Sequence, residues 1–144
     1  MKRMKVVGVL VALAITAVLV SEARAEKKAV KLVKEWIGSV EDEALAKDVP
    51  AAIVDAKALE RLWKAWKIEG KVPAVDFKEH LVIITTTSGS KLRVSATLDD
   101  KGNLEVLGLA TRDMRPGFRY VIAVVSRAGI KTVNGKNLPK ESLS

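Results

Sequence analysis

His80 is the only histidine in this 144-residue chain, and there is no cysteine. Together these two facts bound the chemistry that the side chains can perform. A Ser-His-Asp triad or a histidine metal site has to be built around His80 or not at all. Its neighbours Lys78-Glu79 mark neither a nucleophile nor an orienting carboxylate. The missing thiol excludes a cysteine nucleophile, an iron–sulfur cluster, a cysteine zinc site and a thioether-linked haem. It also excludes a lipoprotein anchor, which needs a cysteine at the cleavage point. No catalytic residue, cofactor or metal ligand set is expected, and His80 reads as an ordinary, partly exposed side chain.

Two further groups have chemically useful residue types. Glu41-Asp42-Glu43 offers oxygen ligands, but its spacing matches no calcium loop, so it reads as a solvated charge run. Trp63 and Trp66 have faces that can stack a sugar ring. Their helical spacing beside Leu59 and Leu62 instead predicts a buried stripe. Trp36 is expected in the core as well.

The strongest candidate site is the segment Arg112-Asp113-Met114-Arg115-Pro116-Gly117-Phe118-Arg119. Arg112, Arg115 and Arg119 fall within eight residues, and guanidinium forks match the geometry of carboxylates and phosphates. Phe118 and Tyr120 add aromatic surface nearby. Two arrangements remain open from the residues alone. The three arginines can converge on one exposed anion or partner site. Alternatively, Asp113 pairs locally with Arg112 or Arg115 and the loop is simply solvated.

These residues must be positioned by a small set of elements. Residues 30–40 fit both a strand and a helix period; the β-branched residues and Gly38 tip the reading to strand. Residues 41–47 make one helical turn, and 51–54 a short strand. The clearest helix spans 55–68, with Asp55 as N-cap, Leu59, Leu62, Trp63 and Trp66 on one face, and Gly70 as the stop. Strands follow over 81–87, 91–98 and 104–110, joined by the Ser88-Gly89-Ser90 turn and the loop 99–103. In 91–98, Leu92, Val94, Ala96 and Leu98 share one face. Residues 118–125 are apolar on both faces, which predicts a central strand covered on both sides. A last strand covers 130–133, closed by Asn134-Gly135, and a loose polar tail is expected from Asn137. One helix followed by antiparallel hairpins predicts an α+β domain. Its amphipathic helix is expected to pack on a mainly antiparallel twisted β-sheet or small β-sandwich.

The first 25 residues have a different character. Lys2, Arg3 and Lys5 precede an uncharged apolar run over 6–20, and Ala23-Arg24-Ala25 has small residues where a signal peptidase reads. The run of about 15 residues is short for a span that needs about 20. The expectation is a cleavable signal peptide over 1–25, cut after Ala25, and a single domain over 26–144 in the periplasm or outside the cell. The alternative is a retained membrane anchor. The whole chain carries 25 basic and 17 acidic residues, a net charge of +8. Removing 1–25 takes four of the basic and one of the acidic residues, leaving about +5. That excess is modest for a dedicated nucleic-acid binder and fits attraction to anionic surfaces.

Trp63, Trp66, Val75-Asp76-Phe77 and the following valine- and isoleucine-rich strand resemble the C-terminal domain of the PrcB protease-complex subunits, a small exported bacterial β-rich module. The shared order is helix, proline, Val-Asp-Phe, strand, glycine turn, strand. It covers a quarter to a half of the domain. That family tends to carry a Gly-Gly-Tyr element after the glycine turn, where this chain reads Gly89-Ser90-Lys91-Leu92. A ligand or protease contact made by that element is therefore not carried over. The second half, from Arg112-Asp113 to Asn134-Gly135, resembles secreted bacterial proteins without known chemistry.

The expectation for function is an exported, non-enzymatic binding module of the cell envelope. Its partner is expected to be a protein, with modulation of a protease as the role the resemblance implies. The alternative is a polyanion or cell-wall binder using the arginine loop, and a remote one is a hydrolase built on His80 or a carboxylate pair. Neither nucleic acid binding nor stable membrane insertion after cleavage is expected.

Overall fold

The computed structural model describes residues 27–140. The leader expected over 1–25 lies outside the described residues. The elements run β1 (Lys28–Val30), β2 (Lys34–Val40), a 3-10 turn (Glu43–Ala46), β3 (Ala52–Ile53), α1 (Ala56–Ala65), β4 (His80–Thr87), β5 (Leu92–Leu98), β6 (Asn103–Ala110), β7 (Phe118–Ser126), β8 (Thr132–Val133) and β9 (Lys136–Asn137). They form two sheets: a central one in the order β2-β7-β4-β3 and an outer one in the order β1-β5-β6-β8-β9. All neighbours are antiparallel except β6 and β8. This is the α+β small sandwich that the periodicities predict.

The central sheet is covered on both faces. Leu81, Ile83, Val121, Ala123 and Val125 pack against Val94, Ala96, Leu104 and Val133 of the outer sheet. On the opposite face Val82, Ile84, Tyr120, Ile122 and Val124 pack against Leu59, Trp63 and Trp66 of the helical layer. β7 lies between β2 and β4 and is buried on both sides, which is why its sequence shows no alternation. Each such fully buried large side chain contributes roughly 1.5–3 kcal/mol by removal from water, opposed by chain entropy.

Asp55 caps α1 as its residue type predicts, its carboxylate accepting from the Ala58 amide at 2.8 Å. The helix stop differs from expectation. Lys67 N–H donates to Lys64 O at 3.1 Å and Ile68 N–H to Trp63 O at 3.0 Å, a Schellman closure. Its left-handed residue is Lys67, at φ 54°, three residues before Gly70. The apolar contact of Ile68 with the helical layer wins over the backbone preference of lysine.

The segment read as one strand over 30–40 is two. β1 pairs with β5 in the outer sheet, residues 31–33 cross between the sheets, and β2 pairs with β7 in the central sheet. The expected strand over 130–133 shortens to β8, which forms a two-residue hairpin with β9 through Asn134 and Gly135, both at positive φ. At the start of the predicted tail, Asn137 closes that hairpin and Leu138 packs on the inter-sheet core. No helix among the described residues is long and apolar enough to cross a membrane.

Candidate functional site

The crossing at residues 31–33 leaves a gap in the outer sheet. β1 covers β5 only at Ala96, Thr97 and Leu98, so residues 92–95 lack a strand neighbour on that side among the described residues. β2 is likewise an edge, bonded among the described residues only to β7. Between these two free edges lies a groove of about 790 Å³, within the range of about 300–1,000 Å³ usual for binding sites. Leu32, Ile37, Leu92, Val94, Leu109 and Val121 supply its apolar lining. Ile37 is 65% exposed on the groove side of β2, and Leu109, 60% exposed, stands at the rim beside its cross-strand partner Arg93 on the outward face of the outer sheet. Lys91 and Arg93 stand at its outer rim and Arg119 at one end, three cations against one anion, Glu35.

The strand ladder determines which backbone groups face the groove. Thr111 N–H donates to Lys91 O and Asp99 N–H to Asn103 O, so the odd residues of β5 bond to β6. The even residues, Leu92 and Val94, therefore direct their N–H and C=O groups toward the gap. The same reasoning applies to β2. Arg127 N–H donates to Glu79 O, so the odd residues of β7 bond to β4 and its even residues to β2. Glu35 and Ile37 are thereby left with backbone groups on the free edge.

Of the arginine segment, Arg119 alone lines the groove, near Ser90 and Thr111. The segment's loop is locked to the Ser88-Gly89-Ser90 turn. Arg115 N–H donates to Ser88 O at 2.9 Å, and Ser90 N–H donates to Asp113 Oδ1 at 3.0 Å. The Thr111 hydroxyl also donates to Asp113 Oδ1. These donors, with the Arg115 guanidinium at 3.3 Å, hold the Asp113 carboxyl well below the usual carboxylate range; the Thr111 hydroxyl is the largest cause.

The three arginines have separate fates. Half-buried Arg119 donates through Nη2 to Ser88 O at 3.3 Å, Arg115 O at 3.2 Å and Pro116 O at 3.2 Å. Its Nε is buried with no hydrogen-bond partner among the described residues. Arg115 pairs with Asp113 at the surface, one of the two arrangements open from the sequence. Arg112 is exposed and has no polar partner among the described residues. Arg119 and Arg115 are thus engaged by different partners, backbone carbonyls for one and Asp113 for the other. Arg119 clamps the loop to the Ser88 turn at the end of the groove that it lines.

The other sequence candidates have structural work. Trp63 and Trp66 are 4% and 5% exposed. Trp36 meets Trp63 edge-on at 5.9 Å, and Trp66 contacts Phe118 and Tyr120, each at 5.1 Å. Asp42 caps the 3-10 turn by accepting from Ala44 N–H at 3.0 Å, and Glu43 accepts from Gly117 N–H at 3.2 Å. His80 opens β4 opposite Ser126. In Val75-Asp76-Phe77, Asp76 accepts from Lys78 N–H while Val75 and Phe77 pack on the helical layer. Sequence reasoning missed the groove. Its local signal is Ile37, a large apolar residue on the face of β2 opposite to Trp36 and Val40.

Comparison of the chain with family models, curated proteins and solved structures gives no match in any of the three.

Proposed function

We propose that this protein is an exported, non-enzymatic binding module that holds a segment of a partner protein in the inter-sheet groove. The observation that carries the reading is the exposure of Ile37 inside a groove bordered by two free strand edges, with Leu109 exposed at its rim. Aliphatic side chains left in water at a concave, hydrogen-bond-competent surface are the features of a contact waiting for its second half. The PrcB resemblance makes an envelope protease complex the first candidate partner. The polyanion reading has weaker support, because Arg119 is engaged by carbonyls and Arg115 by Asp113.

The test compares wild type with Ile37→Glu and Leu109→Glu in crosslinking within the envelope. Both positions are exposed, so both variants should fold, with unchanged circular dichroism. A partner crosslinked to wild type and lost from both variants supports the reading. Equal recovery of the same proteins by all three removes it. Retention that disappears steeply with salt yet ignores both substitutions favours the polyanion reading.

A further inference from the structure

We propose that the occupant of the groove is an extended partner segment of alternating apolar and acidic residues, added to β5 as a strand alongside residues 92–95. The proposal rests on the groove reading above and names the chemistry of what enters it. Four uncovered residues at about 3.3 Å each give roughly 13 Å of free edge, enough to seat a short strand. The backbone N–H and C=O groups of Leu92 and Val94 point into the gap, so an incoming chain can bond to them in line with β1.

The pleat then dictates side-chain preference. Residues of an antiparallel partner opposite Leu92 and Val94 point inward, where Leu32, Ile37 and Val121 await them. Residues opposite Lys91 and Arg93 point outward, beside those two cations. Apolar residues inward and carboxylates outward satisfy both faces, and lysine outward would meet like charge. The described chain leads away from the gap at both ends. Lys27 precedes β1 beside Leu98, and β9 lies on the opposite edge of the outer sheet. A second copy brings the same basic charge to a basic wall, which opposes self-association here.

The probe is the capped peptide Thr-Val-Glu-Val-Glu-Val-Thr, with one control carrying lysine for glutamate and another with the central valine amides N-methylated. Amide exchange is followed by NMR on the full chain. Binding of the parent peptide should slow exchange at Leu92 and Val94 by about tenfold or more. The lysine peptide should bind about tenfold more weakly, and N-methylation should abolish the protection. Ile37→Glu should remove binding of the parent. Parent binding without protection of Leu92 and Val94 overturns strand addition, as does equal binding of the N-methylated peptide; neither touches the groove reading. Failure of all three peptides, while Ile37→Glu still abolishes the envelope crosslink, overturns the occupant's chemistry alone. Concentration-dependent dimerisation that is lost in Ile37→Glu overturns the proposal in favour of a second copy.

Discussion

The Tyr120 ring lies across the bare Cα of Gly38 on the neighbouring strand, so close that a Cβ at position 38 would stand 2.5 Å from the phenolic oxygen. Burial of the ring also pushes the Tyr120 hydroxyl pKa up. Tyr120 in turn contacts Trp66, so Gly38 admits the whole aromatic layer between β2 and α1. Gly38→Ala should therefore destabilise the domain by about 1–3 kcal/mol, the usual cost of forcing atoms into packed space. Denaturant unfolding measures it. A loss below a few tenths of a kcal/mol would mean that the ring moves freely.

Trp66→Ala removes a buried ring that touches both Phe118 and Tyr120. The expected loss is about 3–5 kcal/mol, a large share of the stability of a domain of this size. Equilibrium unfolding followed by far-UV circular dichroism checks it. A near-neutral result would make the ring a surface group and reopen sugar stacking.

Lys67 holds a left-handed conformation at the C-terminus of α1 without a side-chain reason to do so. Lys67→Gly should stabilise the domain by about 0.5–1 kcal/mol, since glycine adopts that conformation without steric cost. The Tm should rise by several degrees. A fall would show that the lysine stem contributes packing not evident at this helix end.

Arg119→Ala should loosen the loop from Arg112 to Gly117 and lower the Tm, because three carbonyls lose their shared donor. Arg115→Ala should change stability little, since an exposed pair is worth about 0–1 kcal/mol. Proteolysis of the loop separates the two variants. If Arg119→Ala leaves cleavage and Tm unchanged while Arg115→Ala does not, the clamp is misassigned.

Asp113 supplies a pH dependence with a definite sign. Its folded pKa is depressed, so its contribution is present above the unfolded value of about 3.9 and is lost as pH falls through the lower folded value. Carbon-detected NMR of the carboxyl should find it still ionised at about pH 3, with the Ser90 amide resonance unshifted from neutral pH. Asp113→Asn should weaken the link between loop and turn across the neutral range. An ordinary titration near pH 4 would show that Thr111 and Ser90 do not hold the carboxylate.

What the sequence determined by itself is the local pattern and what each pattern must bury. The stripe of Leu59, Trp63 and Trp66 required a helix over a core. The alternation of Leu92, Val94 and Ala96 required a half-buried strand, and the doubly apolar 118–125 required a covered one. These are readable because side-chain period follows directly from backbone geometry. Tertiary structure alone decided where the chain changes sheets. Residues 30–40 read from their pattern as one strand, and only the pairing of the chain first with β5 and then with β7 splits it at 31–33. The groove exists because of that split, between edges distant in the sequence. The role of Arg119 was also invisible, since Ser88 O becomes its neighbour only when β4 pairs with β7. Long-range pairing places these groups together, and no local propensity encodes which edge a strand leaves open.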